Sequence, residues 1–213
     1  MHKLWKLAFI IMPIAFANCL ISHSVAADKT NIILILGDSL SAEYGISRGS
    51  GWVNKLQEKL VQQNFNYEVI NASISGETTA GGLRRLPNLI ARYNPKLTVI
   101  ELGGNDALRG LALEDSRKNF RIMIDLLKKN NSKVLLLGMK IPSNYGKKYS
   151  EEFESIYSTI SQQENISLVR FFMSGLETNA ALFQADRIHP NEKAQKFLLN
   201  NVWTSIDSIL KKQ

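Results

Sequence analysis

The sequence predicts an α/β fold, a five-stranded parallel sheet covered by helices on both faces to give three α/β/α layers. Three observations predict it. Short apolar runs, several of them rich in β-branched residues, recur from Asn31 onward and are polar only at their ends, as strands buried on both faces read. Amphipathic segments with helical spacing lie between them. Neither an internal repeat nor a low-complexity linker interrupts the alternation, so the crossovers are helical and the strands parallel.

Residues 1–27 precede the fold and read as a secretory leader. His2, Lys3 and Lys6 form a basic start, Leu7 to Leu20 is almost wholly apolar, and Val25-Ala26-Ala27 supplies the small residues of a cleavage site. Pro13 and Asn18 break the apolar run, which falls short of the ~20 residues a membrane span needs. Asn18 before Cys19 is too polar for lipid-modifying processing. The expectation is a signal peptide over 1–27 and one domain over 28–213. The product is then periplasmic or secreted, with no stable transmembrane segment.

The strands are expected at Asn31–Leu36, Tyr67–Asn71, Leu97–Leu102, Lys133–Gly138 and Ser167–Phe171. Val53, Leu56, Leu60 and Val61 share the inner face of the first helix. A turn at Gly76 follows the second strand, and Thr78 or Thr79 caps the helix after it. Phe120, Ile124 and Leu127 mark the next helix, which ends in Lys128-Lys129, cations that complement the dipole, and then Asn130. Phe153, Ile156, Tyr157 and Ile160 repeat the pattern after a cap at Ser150. Ala194, Leu198 and Val202 mark a final helix entered after Pro190.

Composition narrows the chemistry. The formal charge is +7, and loss of Lys3 and Lys6 with the leader lowers it to +5. The cations are scattered, as in Arg84-Arg85, Lys128-Lys129 and Lys147-Lys148, without interleaved aromatics, so nucleic acid is not an expected partner. Cys19, His2 and His23 all lie in the leader, which leaves His189 as the only imidazole and no thiol. A His- or Cys-rich zinc site is excluded by count, and no metal or cofactor is expected.

In a parallel sheet every strand's carboxyl end lies on one edge, where ligands bind. The segments that follow the strands are Gly37-Asp38-Ser39-Leu40, Asn71-to-Gly82 with Gly76 in its turn, Gly103-Gly104-Asn105-Asp106, and later Asp186-Arg187-Ile188-His189. Alone, each fits an ordinary turn, and Ser39 fits a helix cap as well as a nucleophile. A nucleophile elbow is absent, since Ser41 stands where G-x-S-x-G requires Gly. Together these segments supply the parts of an acyl-transfer site: hydroxyl, base, carboxylate and oxyanion donors. Asp38 and Asp106 read as structural, and Tyr44, Trp52 and Trp203 as core or rim aromatics.

The chain resembles the SGNH (GDSL) hydrolases over essentially all of residues 28–213. GDSL at 37–40, Gly76 in NASISGET, GGND at 103–106 and DRIH at 186–189 correspond to the four blocks of that family. The longer runs GDSLSA, NASISG, RLP, ELGGND, LRG, NYG and FFM resemble its bacterial periplasmic thioesterase, lysophospholipase and arylesterase members. The resemblance implies a flavodoxin-like sheet of order 2-1-3-4-5. It also implies Ser39 as nucleophile, His189 as base, Asp186 as its orienting carboxylate, and an oxyanion hole of Ser39, Gly76 and Asn105. Glu43 departs from the pattern, because such relatives usually carry Gly there.

The implied activity is hydrolysis of carboxyl esters and thioesters of fatty acyl chains by a monomeric serine esterase. A small-molecule or lipid acyl ester is the expected partner. Leu108, Arg109, Leu111, Ile141, Pro142 and Tyr145 are candidate substrate-binding residues, the leucines, Ile141, Pro142 and Tyr145 as apolar lining and Arg109 for phosphate-bearing substrates. A carbohydrate O-acetyl esterase is the alternative enzyme. A non-catalytic acyl-binding envelope protein would require an incomplete set of blocks.

Overall fold

The computed structural model describes residues 30–212; the expected signal peptide and Cys19 lie outside the described residues. Five strands, β1 (Asn31–Gly37), β2 (Tyr67–Asn71), β3 (Leu97–Glu101), β4 (Lys133–Leu137) and β5 (Ser167–Val169), form one sheet. Its order is β2-β1-β3-β4-β5, and every neighbouring pair is parallel. Helices α1 (Trp52–Gln62), α2 (Thr79–Tyr93), α3 (Gly104–Leu108), α4 (Leu113–Lys129) and α5 (Lys147–Glu164) occupy the crossovers, and α6 (Gln195–Leu210) follows β5. The pair α1 and α6 packs on one face, while α4 packs between α2 and α5 on the other. This is the three-layer arrangement that the sequence predicts, with the strand order that the resemblance implies.

The inner strands show why the apolar runs are continuous rather than alternating. Ile33, Leu34, Ile35 and Leu36 on β1, and Leu97, Val99 and Ile100 on β3, are all fully buried, because helices cover both faces. Burial of each such side chain is worth about 1.5–3 kcal/mol, and this layer is where the fold gains most. The core continues through Trp52, Phe120, Phe153, Tyr157 and Phe172.

Local departures have local causes. Val61 is exposed, not part of the inner face of α1, since it lies about 100° around the helix from Leu60. Ser150 does not cap α5. The helix begins one turn earlier at Lys147 after Gly146, and the Ser150 N–H bonds Gly146 O inside its first turn. Two lysines oppose the helix dipole there, which hides the true start from a charge-based reading. The choice between Thr78 and Thr79 falls to Thr78, whose hydroxyl accepts from Gly81 N.

The last strand stops at Val169 rather than Phe171. Gly138 N still donates to Val169 O and Phe172 N to Gly138 O, but the chain passes so close that a Cβ on Gly138 would lie 2.2 Å from Arg170 O. Glycine permits that approach. The early end of β5 releases Phe171 and Met173 from the sheet, and both turn into the cavity described next.

Candidate active site

The carboxyl edge of the sheet is organised from below by two buried acids. Glu101, at the end of β3, is fully buried; its Oε2 accepts from Asp38 N at 3.2 Å and from the Ser41 hydroxyl at 2.8 Å. Trp52 Nε1 donates in turn to Ser41 Oγ at 3.1 Å. Asp38 Oδ1 accepts from Leu40 N, and its Oδ2 accepts from the Asn105 side-chain amide at 3.0 Å. Burial pushes Asp38 up to about 6, although its hydrogen bonds oppose the rise. Burial, and then the charge of Asp38 beside it, push Glu101 well above the usual carboxylate range. Sequence reasoning missed Glu101. Its only signal is a charged residue ending an otherwise apolar strand, which looks like a strand terminus.

This framework fixes Ser39 and Asn105. Ser39 follows β1 directly, and its backbone N–H meets no acceptor among the described residues. Asn105 sits in the first turn of α3 and spends one amide N–H on Asp38, leaving the other for a ligand. Gly76 adopts φ +77°, a left-handed turn that favours glycine, and its N–H also meets no acceptor among the described residues. Arg109 donates to Gly76 O at 2.8 Å and so braces that turn.

His189 arrives from the opposite side, on the long segment between β5 and α6. Its Nε2 lies 2.9 Å from Ser39 Oγ and its Nδ1 2.7 Å from Asp186 Oδ2. Asp186 holds the segment in a tight turn, with Oδ1 accepting from Ile188 N at 2.9 Å and His189 N at 3.0 Å and Arg187 at φ +58°. Partial desolvation raises the Asp186 carboxyl, but hydrogen bonds from the His189 ring and from the two backbone N–H groups outweigh it and bring it down to about 2. The ring of Tyr44 packs against His189 at 4.5 Å between centroids. Ser39, His189 and Asp186 therefore form a continuous hydrogen-bonded chain, able to carry a proton from a hydroxyl to an imidazole and stabilise the cation that results.

The chain opens on a cavity of about 630 Å³. Of the residues expected to bind substrate, Leu108, Ile141 and Pro142 line it, with Ser39, Asn105 and His189 at its floor. Arg109, Leu111 and Tyr145 do not. Arg109 is engaged with Gly76, the Tyr145 hydroxyl bonds Leu108 O, and Leu111 is half exposed. Its apolar wall also includes Met139, Phe171, Met173, Phe183 and Ile188, which sequence reasoning did not assign, and Lys140, Glu177, Thr178 and Arg187 add polar groups to the lining. FFM at 171–173 carried the signal, but it was absorbed into a strand and the segment after it. Asp106 is structural as expected, held by Thr79 and Ser116 away from the cavity. Trp52 is core, and Tyr44 stands at the rim. No group of three metal-ligating side chains is assembled among the described residues.

Residues 35–197 match the GDSL-like lipase/acylhydrolase family. The chain belongs to this family. It is a serine hydrolase of the esterase class, an SGNH hydrolase by its four blocks. It is 43% identical over 201 residues to esterase TesA of Pseudomonas aeruginosa, covering 94% of this chain and 98% of that one. It is 38% identical over 187 residues to thioesterase 1/protease 1/lysophospholipase L1 of Escherichia coli, covering 88% and 87% of the two chains. Among solved structures, psychrotrophic esterase EstA from Pseudoalteromonas, inhibited by monoethylphosphonate, matches with a TM-score of 0.81 and 41% identity, over 85% of this chain and 99% of that one.

Proposed function

We propose that this SGNH hydrolase cleaves carboxyl esters and thioesters of medium to long acyl chains through an acyl-enzyme on Ser39. Ser39 Oγ attacks the acyl carbonyl while His189 Nε2 takes its proton. Asp186, ionised at all but strongly acidic pH, accepts from Nδ1–H and stabilises the imidazolium. The Ser39 and Gly76 N–H groups and the free N–H of Asn105 receive the oxyanion. His189 then returns the proton to the departing alkoxide or thiolate. Water attacks the acyl-enzyme by the same route, His189 taking its proton, and Ser39 is restored.

The observation that carries this reading is the apolar cavity at the hydroxyl. An acetyl group would fill little of 630 Å³, whereas a fatty acyl chain would bury its methylenes against Leu108, Ile141, Phe171 and Phe183, at about 0.8 kcal/mol each. The names of the relatives, esterase and thioesterase/lysophospholipase, point the same way. Residues 1–27 fit a leader that delivers the enzyme across the inner membrane, with 28–213 as the working domain.

The test is a series of p-nitrophenyl esters and acyl-CoA thioesters from acetyl to palmitoyl, each offered alone. The expected result is a kcat/KM that rises about fourfold for each added methylene up to the length the cavity holds, with all turnover lost in Ser39→Ala. Preference for acetyl over octanoyl esters would instead favour the carbohydrate O-acetyl esterase. Undiminished turnover by Ser39→Ala would refute the mechanism.

A further inference from the structure

Residues 182–191 double back on themselves as a short hairpin. Phe183 and Pro190 form an isolated antiparallel bridge, Gln184 N donates to His189 O at 2.8 Å, and Asn191 N donates to Leu182 O at 2.8 Å. The turn of this hairpin holds Asp186 and His189 in register with each other. Nothing inside the hairpin fixes where its imidazole points relative to Ser39. Between the reacting side chains only the 2.9 Å bond from Ser39 to His189 crosses, and a single bond does not orient a whole segment. The aim of the imidazole needs a contact between the hairpin and the loop that follows Ser39.

Gln184 makes that contact. Its Nε2 donates to Tyr44 O at 2.8 Å and to Pro190 O at 3.3 Å, so one amide group binds both the loop after Ser39 and the residue next to His189. The loop is shaped to receive it. Gly45 stands at φ +68°, and a Cβ there would collide with Gln184 Oε1, so glycine leaves the amide its path to Tyr44 O. The same tether brings the Tyr44 ring against the imidazole, 4.5 Å between centroids. Gln184 is half-buried and does not line the acyl cavity, so it acts on the imidazole and not on substrate. Beyond Pro190 the chain is attached separately: Glu192 Oε1 accepts from Ser47 N at 2.8 Å, and Gln195 Oε1 from Trp52 N at 3.0 Å. Loss of the Gln184 amide therefore leaves the hairpin anchored at its root and free to swing at its tip.

We propose that Gln184 is a positioning residue whose side-chain amide, seated against Gly45, aims His189 Nε2 at Ser39 Oγ. The proposal rests on the esterase reading, in which those two atoms exchange a proton. A misplacement of about 1 Å at a reacting pair costs about 10²-fold in rate, which sets the size of the effect.

The test uses the processed chain, residues 28–213, in which His189 is the only histidine and gives the only imidazole signals in a nitrogen-15 NMR spectrum. The core lies wholly within residues 33–210, so this chain is the folding unit. Gln184→Met keeps the length of the side chain and removes both donors. It is expected to lower kcat on a soluble short-chain ester by about 10²-fold with KM nearly unchanged, and to melt within a few degrees of the parent. Its Nε2 resonance is expected to move to the position found in Ser39→Ala, where the bond to Ser39 is absent. The Nδ1–H signal, held by Asp186 inside the hairpin, stays where it is in the parent. Gly45→Ala displaces the amide with Gln184 intact; it lowers kcat in the same way and adds little once position 184 is Met. Parental kcat in Gln184→Met, a lowered kcat with Nε2 unmoved, or losses from the two substitutions that multiply would each overturn the proposal. Absence of ester turnover in the parent would fault the esterase reading instead, and the Nε2 resonance would still decide whether Gln184 aims the imidazole.

Discussion

Ser39 stands on a short turn after β1 and Asn105 in the first turn of α3 just after β3, whereas Asp186 and His189 ride on the long irregular segment between β5 and α6. The first pair is held from beneath by a buried polar framework of Glu101, Asp38, Ser41 and Trp52, contributed by distant parts of the chain. The second pair holds itself, through bonds that span no more than three residues within Asp186-Arg187-Ile188-His189. The two halves meet in one hydrogen bond, Ser39 to His189. The side of the proposed nucleophile thus depends on tertiary packing and buried acids, and the side of the proposed base on a local turn held by short-range bonds.

That contrast sets the expected sizes of the effects. Removing the proposed base should cost most: His189→Ala is expected to lower kcat by about a million-fold, and Asp186→Ala by about ten-thousand-fold, because only the orientation and stabilisation of the imidazole are lost. Neither change should move the melting temperature by more than a few degrees, since the turn is exposed. Asn105→Ala is expected to lower kcat by about 10²–10³ with little change in KM, the pattern of a donor that acts on the transition state. Steady-state kinetics and thermal melts on the same samples check all three. A large loss of stability in His189→Ala would break the comparison.

The same contrast is legible in how the sequence could be read. Asp186 and His189 stand out because their turn is local and His189 is the only histidine after the leader. The strand order and the layers follow the resemblance, and the buried runs at 33–36 and 97–100 announce themselves by composition. Glu101 does not, because its role comes from what stands over it, the backbone N–H of Asp38 and the Ser41 hydroxyl some sixty residues earlier in the chain. Phe171 and Met173 were hidden for a similar reason. Whether they continue β5 or turn into the cavity is decided by the close approach of Gly138 to Arg170, a contact between segments that no local pattern encodes. Val61 and Ser150 failed at helix boundaries, where one residue of drift or two misplaced lysines mislead the eye.

Protonation offers a sharper test, because the two halves carry carboxyls shifted in opposite directions. The Asp38 pKa is raised by burial from 3.8 to about 6 in the folded protein, so the folded state holds this proton more tightly than the unfolded chain. Its contribution to stability is complete below pH 3.8 and is lost as the pH rises through about 6. Asp186 is the reverse: its pKa is lowered to about 2, so its contribution is present above pH 3.8 and is lost as the pH falls through about 2. Urea midpoints from pH 2 to 8 are expected to fall as the pH rises through about 6 in the parent and to fall less there in Asp38→Asn. The Asp186→Asn variant should keep the fall near pH 6 and lose part of the decline below pH 4. Identical profiles for the two variants would mean that the halves do not differ as described.

The smallest expected effect lies beside the nucleophile, at Glu43. This residue adopts φ +58°, a left-handed conformation that costs a non-glycine residue about 1–2 kcal/mol, a cost that Gly would avoid. The structure shows what offsets it. The Glu43 carboxylate accepts from Gly49 N at 2.9 Å and Gly51 N at 2.7 Å, closing the loop that leads into α1 at a helix start whose N-cap, Gly51, has no side chain to cap with. Hydrogen bonds to an ionised group are worth about 1.5–3 kcal/mol each when buried and well below that where solvent reaches them, as it does here, so the pair roughly offsets the backbone cost. Glu43→Gly should therefore leave the melting temperature within a few degrees of the parent. Glu43→Ala keeps the backbone cost and loses the bonds, and should melt clearly lower than either. If Ala and Gly at this position melted together, the backbone strain would not be real, and Glu43 would matter only through its carboxylate.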